Sequence, residues 1–183
     1  MARISPPTGA VPGPTDPSLT IRRADPSEPD IRALLAAHLA HSRAHSPEQS
    51  CHVLGADEMS GVALYAVCEG PRVLGCGGLK PLGDGTAEVK SVHVAAAYRG
   101  RGLSRQLMAA LIAAARAQGV SALVLETGSE AITGFDAARR LYSGLGFRLC
   151  GPIPGYVPDE ASAFYRLDLA GGGSGQGRPE LAG

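Results

Sequence analysis

One stretch of the chain, residues 92–105 (VHVAAAYRGRGLSR), restricts the possible folds more than any other. It begins as a β-type segment and enters a turn that contains two glycines. The apolar period then changes, because leucines recur at every fourth position from Leu103 to Leu111 and the pattern stops at Gly119. The stretch therefore predicts a strand, a glycine turn and an amphipathic helix in direct succession.

The glycine turn also has the composition of an anion site. The first N–H groups of a helix lack acceptors, and the helix dipole adds partial positive charge at the same place. Glycine at positions 100 and 102 leaves room for an anion to reach these amides, and Arg99, Arg101 and Arg105 add positive charge nearby. We expect this turn to bind a pyrophosphate group.

Hydrophobic periodicity divides the rest of the chain into strands and helices. Strands are expected at residues 19–23, 62–68, 73–79, 87–94, 121–126, 146–150 and 164–169. Helices are expected at residues 31–43 and 135–145, in addition to the helix that begins near Gly102. Three successive antiparallel strands, followed by a strand–helix–strand crossover, predict an α/β fold with a mixed sheet.

The composition favours one folded domain. The chain has 183 residues, of which 44% are hydrophobic and 19% charged. Residues 1–18 are rich in proline and residues 170–183 are rich in glycine, so both segments are expected to be flexible. Residues 19–169 remain as the folded unit.

Charge, hydropathy and cysteine usage exclude several classes of function. Lys plus Arg and Asp plus Glu number 17 each, so no net charge draws the chain to nucleic acid or to an anionic membrane. No apolar run approaches the roughly 18 residues of a membrane span, and the first residues lack a signal-peptide core, so a cytoplasmic protein is expected. The four cysteines lack C-x-x-C spacing, which argues against a zinc site or a disulfide framework.

Three histidines, His38, His41 and His45, share one face of the first predicted helix. Metal sites use such spacings, but no carboxylate or thiol in this segment completes a ligand set. We expect a solvated helix face or the rim of a pocket, and no metal. His52 and His93 are expected to be packing residues.

Two motifs resemble the GNAT superfamily of N-acetyltransferases. Arg99-x-x-Gly102-x-Ser104 is similar to its Q/R-x-x-G-x-G/A motif, with Ser104 in place of the usual glycine or alanine. Residues 138–147 (ARRLYSGLGF) are similar to a second signature, A-x-x-L-Y-x-x-x-G-F. The resemblance covers residues 19–169. Within the superfamily, the sequence is similar to a subgroup of small bacterial acetyltransferases.

The resemblance implies six to seven mostly antiparallel strands flanked by helices, with a splayed parallel pair at the centre. Acetyl-CoA would be the cosubstrate and would lie between these two strands. Its pantetheine arm would pair with the backbone of Val92, His93 and Val94. Its pyrophosphate would bind the turn that consists of Arg99, Gly100, Arg101, Gly102, Leu103, Ser104 and Arg105. An acceptor amine would attack the thioester directly, without a metal.

Direct attack requires a base for the amine and an acid for the leaving sulfur. Tyr142, at the L-Y position of the second signature, is implied as the acid, and Glu88, on the strand before the motif, is the candidate base. Strict alternation would divide this strand into two faces, Glu88, Lys90, Val92 and Val94 against Val89, Ser91 and His93. If Glu88 pairs elsewhere, the next candidates are Glu126, Asp159 and Glu160.

The acceptor is expected to be a small amine, with a protein N-terminus or lysine as the lesser possibility. A homodimer is possible by the resemblance, because many members of the family form dimers. A sensor that binds CoA or acyl-CoA without turnover is the main competing function. A Rossmann nucleotide site is a third interpretation, but it requires glycine near position 105, where Arg105 stands, and no antiparallel strands before the motif.

Overall fold

A computed structural model of the protein describes residues 18–47 and 54–169. The expected tail at 170–183, and all of the expected head at 1–18 except Ser18, lie outside the described residues. Residues 48–53, which include Cys51 and His52, also lie outside them. The fold is therefore described from Ser18 onward.

The described elements follow the predicted order. The strands are β1 (Leu19–Arg23), β2 (Ala63–Glu69), β3 (Arg72–Pro81), β4 (Thr86–Val94), β5 (Ala122–Gly128), β6 (Arg148–Cys150) and β7 (Ser162–Asp168). The helices are α1 (Pro29–His45), α2 (Leu103–Ala117) and α3 (Asp136–Gly144), and short 3-10 turns stand at Ala56–Glu58 and Ala96–Tyr98. The predicted α/β class is confirmed.

The seven strands form one sheet in the order β1-β2-β3-β4-β5-β7-β6. Neighbouring strands are antiparallel except for β4 and β5, which are parallel, as predicted. β4 and β5 pair only from Thr86 with Ala122 to Glu88 with Val124. Beyond this point the two strands have no pairs, although β5 stays paired with β7 as far as Gly128. The centre of the sheet therefore opens into a gap.

The helices cover the two faces of the sheet. α2 buries its leucine stripe, with Leu107 and Leu111 0% exposed, and packs against strand residues that include Val89. α1 buries Ile31 and Leu35 on the opposite face. The apolar core thus fixes both helices against the central strands.

A β-bulge interrupts β4. The register against β3 shifts so that two residues of β4, Ser91 and Val92, face one residue of β3. Ser91 has φ = 54°, the only left-handed φ of a non-glycine residue in the described ranges. An extra residue of this kind reverses which face each following side chain meets.

The predicted division of β4 into two alternating faces is wrong beyond Lys90, and the bulge is the reason. Val92 packs with the cluster that contains Val89 and α2, and Val94 packs against Leu103 of α2. His93 instead meets α1, where its ring centroid lies 5.1 Å from that of His38. A backbone irregularity, not a change in hydrophobic pattern, causes the switch.

Candidate active site

A cavity of about 500 Å³ occupies the gap between β4 and β5. Its lining comes from α1, the carboxyl end of β4, the turn before α2 with the first residues of that helix, the end of β5, and α3. The cavity therefore meets both faces of the sheet, because α1 lies on one and α2 on the other.

The glycine turn forms one end of this cavity. Gly100 (φ = 80°) and Gly102 (φ = 74°) are left-handed, and Gly102 is the N-cap residue of α2. A Cβ atom placed on either glycine would meet no atom within 4 Å, so both positions face free space. The amides of Leu103 and Ser104 are among the first in α2, which have no acceptor within the helix. The turn fits a phosphate group by both space and donor chemistry.

Nine of the ten residues predicted for cofactor binding line the cavity: Val92, His93, Val94, Arg99, Gly100, Gly102, Leu103, Ser104 and Arg105. The tenth, Arg101, does not line it, and its guanidinium donates to Glu69 of β2 at 2.6 Å. Arg99 lines the cavity and also donates from Nε to the Val94 carbonyl at 3.2 Å. The structure therefore brings together the strand end and the turn that the family resemblance implies as one site.

Tyr142 of α3 reaches the cavity from the α2 side of the sheet. Its side chain is 7% exposed and packs against the rings of Phe147 and Tyr165, with centroids 5.9 and 6.4 Å away. Burial raises the pKa of the phenol above its ordinary value. Tyr142 is therefore a protonated hydrogen-bond donor at neutral pH.

Glu88 lies outside the lining of this cavity. The residue is 4% exposed, and its carboxylate accepts hydrogen bonds from the Lys90 ammonium, at 3.1 Å, and from the Tyr156 hydroxyl. Lys90 also donates to the Tyr156 hydroxyl at 2.7 Å. The residue that the sequence favours as the base is thus held in a buried ion pair.

Glu126, the candidate base that follows Glu88, does line the cavity. It stands on β5 just beyond the last pair with β4 and accepts a hydrogen bond from Ser162 Oγ at 2.9 Å. Burial raises the pKa of this carboxyl to about 7, although the hydrogen bond from Ser162 and the charge of Lys90 act in the opposite direction. The carboxylates of Asp159 and Glu160, the remaining candidate bases, do not line the cavity.

Histidines line the α1 side of the cavity. Burial, assisted by neighbouring positive groups, lowers the pKa of His38 to about 3 and that of His93 to about 4. His41 lies beside them, with Nε2 3.2 Å from the Gly134 carbonyl and its ring in edge contact with Phe135. In the described residues, no group of three His, Cys, Asp or Glu side chains has the geometry to hold a metal ion.

The sequence pattern did not single out two residues: Ser42, which lines the cavity, and Tyr156, which lies outside its lining and holds Glu88. Tyr156 lies in an aperiodic loop, so no pattern indicated that it would reach Glu88. Ser42 lies one turn after His38 on α1, and this pair of polar residues on a buried helix face could have indicated a polar pocket there.

None of the helices in residues 18–47 and 54–169 combines the length and apolarity that a bilayer crossing requires.

Comparison with known proteins identifies the family. The profile of the Acetyltransferase (GNAT) family matches residues 29–147. The chain is 34% identical over 141 residues to the uncharacterized N-acetyltransferase YsnE of Bacillus subtilis (strain 168), which covers 76% of this chain and 92% of that protein.

Solved structures agree with this assignment. The crystal structure of a candidate acyl-CoA N-acyltransferase from Klebsiella pneumoniae superimposes with a TM-score of 0.69 at 28% identity, covering 82% of this chain and 97% of that one. A GNAT family acetyltransferase from Elizabethkingia anophelis, solved with acetyl-CoA bound, shares the fold with a TM-score of 0.62 at 20% identity, covering 84% and 99%. The chain described here belongs to the GNAT family of acetyltransferases.

Proposed function

We propose that the chain transfers the acetyl group of acetyl-CoA to the amine of a small molecule. One observation carries this proposal: a single cavity brings together the glycine turn of α2, the gap between β4 and β5, a neutral phenol and a carboxyl with a raised pKa. Val92, His93 and Val94 would meet the pantetheine arm, and the turn would hold the pyrophosphate. The amine nitrogen forms the new bond to the acetyl carbon, and the bond from that carbon to sulfur breaks.

Glu126 is the base in this proposal, in place of Glu88. Glu88 is already engaged by Lys90 and Tyr156 and does not face the cavity. His38 and His93 are weak bases, because each has a pKa several units below neutrality. A carboxyl with a pKa near 7 is half ionised at neutral pH and accepts a proton as the attacking nitrogen becomes acidic.

Tyr142 is the acid in the same proposal. The leaving thiolate requires a donor, and the buried phenol keeps its proton throughout the neutral range. Its ring is fixed by Phe147 and Tyr165, so the hydroxyl has little freedom to leave the cavity. Donation from this hydroxyl to the sulfur would stabilise the thiolate as it forms.

We place the reaction in the cytoplasm. Cys68, Cys76 and Cys150 are free thiols, and the first two are buried. Unpaired cysteines are typical of reducing compartments.

The test has two stages. Thermal unfolding is first measured with acetyl-CoA, NADH or ATP, because a ligand of the native state raises the melting temperature. We expect a shift with acetyl-CoA alone, and a shift with NADH or ATP instead would refute the proposal. Thiol release is then followed with a panel of amines, where Tyr142→Phe separates an enzyme from a sensor: an enzyme loses turnover and keeps acetyl-CoA binding.

A further inference from the structure

Three buried polar atoms of residues that line the cavity have no hydrogen-bond partner in the described structure. They are His38 Nδ1, Ser42 Oγ and Ser91 Oγ. Ser42 is 2% exposed and Ser91 is 9% exposed, and all three residues line the same cavity. Buried polar groups without partners are rare, because they lose their bonds to water without replacement.

These groups lie on two elements that the fold brings together. His38 and Ser42 are one helical turn apart on α1, and the His38 ring contacts His93 of β4. Ser91 lies at the bulge of β4, in a left-handed conformation that is unfavourable for a residue with a side chain. Two independent elements thus contribute residues with unsatisfied polar groups to the lining of one cavity.

The charge of this region restricts what it can bind. His38 and His93 are uncharged at neutral pH because burial lowers the pKa of each. The ammonium of Lys90 lies against Glu88 and Tyr156. Among the described residues that line the cavity, Glu126 is the single carboxylate, and the proposed reaction assigns it to the attacking amine. A second ammonium on the acceptor would find no second carboxylate among these described residues.

We propose that His38, Ser42 and Ser91 form an acceptor subsite that hydrogen-bonds an uncharged polar group, a hydroxyl or a carboxamide, on a monoamine acceptor. This inference rests on the proposed function and adds a class of substrate to it. Hydroxyls and a neutral imidazole both donate and accept, so they match a hydroxyl or an amide. Diamines and simple alkylamines are disfavoured, the first by charge and the second because the polar groups stay unpaired.

The test compares acceptors of similar size: 3-amino-1-propanol and glycinamide against propylamine and 1,3-diaminopropane. Steady-state thiol release from acetyl-CoA gives kcat/KM for each. The wild-type protein is expected to prefer the first two by about tenfold, the effect of one or two hydrogen bonds. Ser42→Ala and Ser91→Gly each remove one hydroxyl and should reduce this preference to about twofold, whereas Ser60→Ala, on an exposed turn outside the cavity, should leave it unchanged.

Thermal stability gives a second readout. A hydroxyl that has a partner only when substrate is bound adds no hydrogen bond to the free protein, so Ser42→Ala should not lower the melting temperature. Ser91→Gly should raise the melting temperature, because glycine adopts the left-handed backbone conformation without strain. A lower melting temperature for Ser42→Ala, or equal kcat/KM for propylamine and 3-amino-1-propanol, would overturn the subsite and leave the acetyltransferase proposal intact. Absence of turnover with every amine would overturn both.

Discussion

Glu126 offers the sharpest test of the proposed chemistry, through the substitution Glu126→Gln. Its pKa rises from 4.5 to about 7, mainly because the carboxyl is buried. One pKa unit corresponds to about 1.4 kcal/mol, so ionising Glu126 in the folded chain costs about 3 kcal/mol more than in the unfolded chain. Glutamine keeps the size and the ability to accept from Ser162, and it removes the ionisation.

The sign of the stability change follows from linkage. Because the folded pKa is the higher one, the folded protein retains its proton between pH 4.5 and about 7, where the unfolded chain releases it. This contribution to stability is complete below pH 4.5 and is lost as the pH rises through 7. The free energy of unfolding of Glu126→Gln, relative to the wild type, should therefore increase by about 3 kcal/mol between pH 4 and pH 8, measured by urea denaturation.

Activity should rise with pH over the range in which this contribution to stability is lost. As a base, Glu126 must be ionised, so the pH profile of wild-type kcat/KM, which reports ionisations of the free protein, should show an inflection near pH 7. Glu126→Gln should lower kcat by about 10²- to 10⁴-fold and abolish this inflection. Glu160→Gln, an exposed carboxylate outside the cavity, is the matched control and should change neither property. An inflection near pH 7 that survives in Glu126→Gln would refute the assignment.

Three further substitutions test other parts of the argument. Gly102→Ala and Gly119→Ala place the same strain, about 1 kcal/mol, on two left-handed glycines with free space around them. We expect both variants to lose the same stability in urea denaturation. Only Gly102→Ala should bind acetyl-CoA more weakly, as measured by titration. Tyr142→Phe should lower kcat at least tenfold and leave the affinity for acetyl-CoA within twofold, and an unchanged kcat would exclude Tyr142 as the acid. Leu107→Ala removes a side chain that is 0% exposed and should lower the free energy of unfolding by about 2–5 kcal/mol; a loss below 1 kcal/mol would mean that α2 is not fixed by its leucine stripe.

The sequence predicts most of the fold because hydrophobic period carries most of the information. β1 begins and ends where predicted, at Leu19–Arg23, and α2 begins at the glycine turn. The position of β7 between β5 and β6 was not predictable in this way, since it depends on contacts between segments distant in the chain. The motif residues of the site were predicted for the same reason as α2: local spacing specifies a helix N-terminus.

The proposed base was harder to predict, because that role depends on the partners of each side chain and not on its position in a strand. Glu88 and Glu126 both lie on central strands of the sheet. Glu88 meets Lys90 two residues away and Tyr156 from a distant loop, and this pairing removes it from the cavity. Glu126 accepts from the hydroxyl of Ser162 and keeps a raised pKa. An aperiodic loop therefore decides which carboxylate is available.

The gap between β4 and β5 explains why the site lies at the centre of the sheet and not at an edge. β4 stays paired with β3 as far as Val94, and β5 stays paired with β7 as far as Gly128. Each strand is thus held on its outer side while the inner sides separate after Glu88 and Val124. Backbone groups on the inner sides then lack strand partners, and an extended ligand with amide groups would supply them. The bulge at Ser91 lies within the separated part of β4, so the same irregularity turns His93 towards α1 and Val92 towards α2.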